Sequence, residues 1–219
     1  MPVKFKSYIF DLDGTLTDSS YALWKGVASA MLSIGVDNIT QDDVCRWIGR
    51  PLIEVFEGFI RERGNETILD DSIFSKMAKI FRDEHDRNFP SGVVIYPGVV
   101  DLLIKLRSEN AKIAIATNKF QEPAEFVTKG LDLFDKVDAV CGVEPGFPAK
   151  PDPYVFQEAL RLLDASPEST LVIGDTISDM QAGKSAGCKC GFVTYGYGDL
   201  TTLDPDQYDF RFDKISEVP

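Results

Sequence analysis

Five short runs of strand-forming residues recur along the chain, at 8–10, 113–116, 138–141, 171–173 and 191–193, and most are apolar on both faces. A strand whose every side chain is apolar must be covered on both sides. That is the condition of a central strand in a parallel sheet. Stretches of helical periodicity separate the runs. One opens at Pro97-Gly98 and carries Val99, Val100, Leu102, Leu103 and Leu106. A second runs from Pro153 through Phe156, Ala159, Leu160 and Leu163, and a third from Asp175 to a stop at Gly187. Strands alternating with helices predict a parallel α/β sheet with right-handed crossovers.

Residues 18–89 break the alternation. They hold four amphipathic patterns, at 20–33, 41–47, 52–63 and 71–87, and no convincing strand. The expected organisation is one α/β domain, 1–17 plus 90–219, interrupted by a helical insertion at 18–89. Hinges are expected near Thr17-Asp18 and Pro90-Ser91-Gly92. Within the insertion, Trp24, Phe56, Phe59, Phe74 and Phe81 fall at helical spacings and read as core. The single histidine, His85, reads as an exposed helix residue rather than a catalyst. The last five residues, 215–219, are expected to carry little order.

Charge narrows the partners. With 23 Lys+Arg against 35 Asp+Glu the chain carries −12, which repels phosphodiester backbones and anionic membrane surfaces. No apolar run approaches the ~18 residues that span a bilayer, and the N-terminus lacks the apolar core of a signal peptide. A cytoplasmic protein, monomer or homodimer, with no nucleic acid or membrane partner is therefore expected. Cys45, Cys141, Cys188 and Cys190 show no metal-site spacing and read as reduced, incidental thiols.

The chemistry gathers where strands end. The first runs into Asp11-Leu12-Asp13-Gly14-Thr15, and another into Gly174-Asp175-Thr176-Ile177-Ser178-Asp179. In an open α/β sheet ligands bind outside the carboxyl ends of strands, so these acids are predicted to meet. Taken alone, each motif could be a capped turn or helix start. Together, self-repelling carboxylates make sense around a hard divalent cation, and an all-oxygen ligand set points to Mg²⁺. Thr117-Asn118-Lys119 follows a further strand, and Lys150 sits in a loop stiffened by Pro151 and Pro153. A lysine, a hydroxyl and an amide could receive phosphoryl oxygens. Gly14 lets the backbone turn tightly and donate N–H groups there.

This order of motifs resembles the haloacid dehalogenase-like hydrolase superfamily from Phe10 to about Gly198, with the insertion similar to its four-helix cap on a Rossmann-like core. Ser185-Ala186-Gly187-Cys188 and Thr194-Tyr195-Gly196-Tyr197-Gly198 look most like its phosphoglycolate phosphatase-like branch. The resemblance implies a Mg²⁺-dependent phosphatase acting on a small phosphorylated metabolite, phosphoglycolate first, through an aspartyl-phosphate. It implies Asp11 as nucleophile and Asp13 as general acid and base. Asp11, Asp175 and the Asp13 carbonyl would be metal ligands, with Asp179 behind them. Thr117 and Lys150 would bind the phosphoryl oxygens. Asn118, Gly14 and, from the 47–51 junction of the cap, Arg50 would contact substrate, with Lys119 a weaker candidate. An acid at position 13 favours phosphoryl transfer over dehalogenation. The β-phosphoglucomutases share the first motif but carry a histidine shortly after it, where this chain reads Ser20-Tyr21-Ala22-Leu23-Trp24. A mutase, a pyrophosphatase of the same branch, and a non-catalytic binding relative are the alternatives.

Overall fold

The computed structural model describes residues 5–199, 201 and 203–219. Two compact units emerge: Met1–Asp18 with Ile95–Pro219, and Ser19–Val94.

The first unit is built on a six-stranded parallel sheet. Its strands are β1 (Ser7–Phe10), β4 (Lys112–Phe120), β5 (Ala139–Val143), β6 (Thr170–Gly174), β7 (Lys189–Val193) and β8 (Phe210–Phe212). They lie in the order β5-β4-β1-β6-β7-β8. Phe10 is in register with Ile115 of β4 on one side and Ile173 of β6 on the other. The chain thus winds from β1 outward through β4 and β5, then returns to β6 on the opposite flank. This reversal is a topological switch point, and the crevice it opens sits at the carboxyl ends of β4, β1 and β6. Short two-residue strands β2 (Thr17–Asp18) and β3 (Val94–Ile95) stand where the chain leaves and re-enters the unit.

Four helices connect the strands: α5 (Val99–Ser108), α6 (Gln121–Gly130), α7 (Tyr154–Leu163) and α8 (Ile177–Ser185). One face of the sheet is sealed by a cluster of Ile9, Ala114, Val172, Phe156, Leu160, Met180 and Phe192. The apolar stripe of α7 (Val155, Phe156, Ala159, Leu160, Leu163) is buried along its full length, as the 3.6-residue period requires. Cys141, Cys188 and Cys190 are buried in the same unit, and burial pushes each thiol up to about 12. They are inert packing residues.

Helix α6 and strand β8 did not register in the sequence. β8 is only Phe-Arg-Phe, and it pairs in parallel with β7 from Gly191↔Phe210 to Val193↔Phe212. The expectation of little order at the C-terminus is wrong. Ile215 and Val218 are buried, and the Tyr8 hydroxyl donates to the Pro219 carbonyl at 2.9 Å. An apolar pair spaced three apart on a helical turn lets this segment close over the core.

The second unit consists of α1 (Ser20–Leu32), α2 (Gln41–Cys45), α3 (Leu52–Glu62) and α4 (Asp71–Gly92). Val27, Met31, Val55, Phe56, Phe59 and Met77 form its core, with Trp24, Phe74 and Phe81 packed against it. Its helix starts are specified locally. Thr40 and Asp43 form a reciprocal capping box on α2, and the Asp70 carboxylate accepts from the Ile73 N–H at 2.8 Å to cap α4. Helix α4 continues through Pro90 to Gly92, so the expected hinge at 90–92 is helical and the unit ends at Val94 rather than at 89. His85 is not exposed. It is 2% accessible and stacks on Phe81 (5.9 Å) one helical turn before it, with Phe89 one turn after. Sequence spacing placed it on a helix, but only packing decides which stripe is covered.

Candidate active site

Asp11 is the first residue beyond β1, and its N–H donates to the Ile173 carbonyl at 2.9 Å. That bond anchors it at the centre of the sheet edge. Asp175 is the first residue beyond β6, Thr117 lies within β4, and Lys150 lies in the loop before α7. All four are buried. The parallel register of β4, β1 and β6 therefore brings together residues more than 100 positions apart.

Asp179 arrives by a helix cap. Thr176 is the N-cap of α8, and Asp179 is its third residue. Asp179 Oδ2 accepts from the Thr176 N–H (3.0 Å) and hydroxyl (2.6 Å), while the Asp179 N–H donates back to Thr176 Oγ1. This capping box orients the other oxygen, Oδ1, toward Lys150 at 2.7 Å. The cap is thus Thr176, not Asp175, and the Asp175 carboxylate is used differently. Its Oδ1 accepts from the Thr15 hydroxyl (3.1 Å), and its Oδ2 accepts from the Tyr197 N–H (2.7 Å).

The Lys150 ammonium has three hydrogens and three acceptors: Asp11 Oδ1 at 2.5 Å, Asp179 Oδ1 at 2.7 Å and the Ala116 carbonyl at 3.1 Å. Burial alone would lower its pKa, but the two carboxylates outweigh burial and hold it above the ordinary lysine range.

The cluster is short of positive charge. Asp11, Asp175 and Asp179 each offer an oxygen, and these oxygens lie within 4.8 Å of one another. Three carboxylates against one lysine leave a deficit of two charges when all are ionised. Burial, with the neighbouring carboxylates, raises Asp11 well above the usual range in spite of Lys150. Burial and Asp179 push Asp175 up to about 7. An all-oxygen, buried, doubly negative cluster fits a divalent cation in both donor type and charge.

The remaining expected residues divide. Asp13 Oδ2 lies 3.1 Å from Lys119 Nζ, both largely buried, so Lys119 belongs to the site by its partner. Thr117 Oγ1 accepts from the Lys119 N–H at 3.2 Å. Gly14 does not offer its N–H to a ligand, because that group donates to the Thr17 carbonyl at 2.8 Å. The glycine is required for a different reason. Its φ is +99°, and a Cβ there would overlap the Asp175 carboxylate. Asn118, expected on substrate, instead exchanges two hydrogen bonds with the main chain of Lys150. Arg50 lies in the helical unit, exposed, with its guanidinium 4.8 Å from the Trp47 ring centre.

Two residues went unrecognised as parts of the site. Tyr197 holds Asp175 through its N–H, and its hydroxyl donates to Asp18 Oδ1 at 2.7 Å. The Tyr195 hydroxyl donates to the Thr15 carbonyl at 2.8 Å. Burial first raises both phenols above their ordinary range. The available signal was position: Thr194-Tyr195-Gly196-Tyr197-Gly198 follows β7 at the same sheet edge.

The chain is similar to known proteins over most of its length. The family model for haloacid dehalogenase-like hydrolases matches residues 8–193. A phosphoglycolate phosphatase of Aquifex aeolicus is 29% identical over 198 residues, covering 90% of this chain and 89% of that protein. The pyrophosphatase PpaX of Bacillus cereus is 28% identical over 216 residues, covering 99% and 95%. The crystal structure of a hydrolase from Pseudomonas syringae superposes with a TM-score of 0.82 at 27% identity, covering 96% and 94%. The chain belongs to the haloacid dehalogenase-like hydrolase family, on the side of its phosphoglycolate phosphatase-like branch.

Proposed function

We propose that this phosphatase hydrolyses the phosphomonoester of a small metabolite, with phosphoglycolate the first candidate, through Asp11 and with Mg²⁺ as cofactor. The observation that carries the reading is the buried assembly of Asp11, Asp175 and Asp179 around Lys150 at one sheet edge. Asp11, Asp175 and the Asp13 carbonyl are assigned as the residues that hold the cation, with Asp179 behind them. When bound, the ion supplies positive charge that offsets repulsion between these carboxylates and an anionic substrate.

The chain's own residues supply the rest. An Asp11 carboxylate oxygen attacks phosphorus, the ester P–O bond breaks, and the Asp13 carboxylic acid gives its proton to the leaving oxygen. Asp13, now ionised, takes a proton from water. That water oxygen attacks phosphorus, the bond to Asp11 breaks, and inorganic phosphate leaves with the nucleophile restored. Acid–base catalysis of this type contributes about 10²–10⁴-fold. Lys150 opposes the burial that raises Asp11, favouring its attacking carboxylate form, and presents positive charge to the arriving phosphoryl group; the Thr117 hydroxyl is assigned to a phosphoryl oxygen. Substrate choice is assigned to the helical unit.

Phosphate release from p-nitrophenyl phosphate tests the class, with Mg²⁺, with EDTA, and with Asp11→Asn as the blank. Activity should require both Mg²⁺ and Asp11. Full activity in Asp11→Asn would overturn the reading. A second substrate, inorganic pyrophosphate, is favoured by the likeness to the pyrophosphatase over nearly the whole chain. Comparing kcat/KM on phosphoglycolate and pyrophosphate separates the two.

A further inference from the structure

Lys150 is gripped at both ends by one strand. Its ammonium rests on the carbonyl of Ala116 at 3.1 Å. Two residues further along β4, the side-chain amide of Asn118 meets the main chain of Lys150. The Lys150 N–H donates to Asn118 Oδ1 at 2.8 Å, and Asn118 Nδ2 donates to the Lys150 carbonyl at 3.1 Å. A primary amide is the neutral side chain that donates and accepts side by side, as a backbone partner in a sheet would. The loop that carries Lys150 belongs to no strand, so Asn118 pins to the sheet a segment that no ladder holds.

We infer that Asn118 is a positioning residue, acting through Lys150 by clamping its backbone so that the ammonium stands between Asp11 and Asp179, and not a substrate contact. This rests on the phosphoryl-transfer reading above. The physical stake is placement. The ammonium meets its three acceptors at 2.5, 2.7 and 3.1 Å, and a misplacement of about 1 Å by a distant change can cost on the order of 10²-fold in rate.

Asn118→Ala removes both halves of the clamp and deletes no catalytic group. With p-nitrophenyl phosphate and Mg²⁺, kcat should fall roughly 10- to 100-fold while KM stays within about threefold. In a Lys150→Met background, adding Asn118→Ala should change the residual rate by less than about twofold, because the residue through which Asn118 acts is gone. Should Lys150→Met be too slow to assay, hydrogen exchange supplies the second readout. The Lys150 amide, protected by Asn118 Oδ1, should exchange faster in Asn118→Ala. A raised KM with unchanged kcat, an equal loss in both backgrounds, or unchanged protection of the Lys150 amide would each overturn the inference. Asp11→Asn separates the two levels. If it retains activity, the phosphoryl-transfer reading fails. If it is inactive and Asn118→Ala keeps the wild-type kcat, only the role of Asn118 fails.

Discussion

Replacing Lys150 by Met tests how the site and the fold depend on one charge. Lys150 is 3% accessible, Asp11 4% and Asp179 1%, so water can solvate none of them well. Methionine fills most of the same volume but brings no charge, and Asp11 Oδ1 and Asp179 Oδ1 lose their donor at 2.5 and 2.7 Å. Breaking a buried ion pair from one side costs about 3–5 kcal/mol, because the remaining charge is stranded. For a chain of this size each kcal/mol moves Tm by about 2–4 °C, so the variant should melt roughly 6–20 °C lower. The deficit should depend on pH. Asp11 and Asp175 are already raised in the folded state, Asp175 to about 7, and losing the lysine raises them further. Raised carboxylates bind more protons folded than unfolded, so stability recovers as pH falls through the folded pKa. The gap from wild type should therefore be wider at pH 8 than at pH 6. Thermal unfolding by circular dichroism in EDTA at both pH values measures it. Adding Asp179→Asn should restore part of the loss. A melting point within about 2 °C of wild type at pH 8, or equal gaps at both pH values, would refute this account of the cluster.

The cation should stabilise the fold for the same reason. Mg²⁺ at about 100 times its Kd adds about 2.7 kcal/mol, read as a Tm rise over the EDTA sample that Asp175→Asn abolishes. Gly14→Ala should lose activity and lower Tm, since it forces a side chain into φ +99° and into the Asp175 carboxylate; circular dichroism and phosphate release read both. Away from the site, Asp209 accepts from Lys184, Lys189 and the Cys190 N–H, and these bonds outweigh its partial burial to hold it near 2. A depressed carboxylate stabilises above its unfolded pKa and loses that contribution as pH falls. Urea unfolding should therefore show Asp209→Asn about 1 kcal/mol weaker at pH 7, solvent screening having reduced what the shift alone implies, with the difference shrinking from pH 4 downward. In the helical unit, Phe56→Ala should cost about 3–5 kcal/mol in the same assay, because Phe56 is wholly buried in that unit's core.

What was legible in the sequence follows from local rules. Strands apolar on both faces can exist only inside a covered parallel sheet, which is why β1, β4, β5, β6 and β7 were readable and the acid-rich ends of β1 and β6 could be assigned to one edge. The helices of 18–89 announced themselves by period. Elements with too little local signal escaped: the three residues of β8 and the turn at 215–217, which buries Ile215, acquire meaning only by pairing with β7 and closing under Tyr8.

Side-chain partnership was decided by tertiary structure alone. The residue types around the crevice were foreseeable, but the atoms they touch were not. Position 118 could have faced a ligand, yet its amide faces the Lys150 backbone. Gly14 could have lent an N–H, yet that N–H serves Thr17 and the missing Cβ makes room for Asp175. His85 could have faced water, yet it stacks on Phe81. Periodicity and motif order act over a few residues and so are written in the chain. Burial, charge compensation and hydrogen-bond choice depend on neighbours as far as 211 residues away, as with Tyr8 and Pro219, and exist only once the sheet has assembled them.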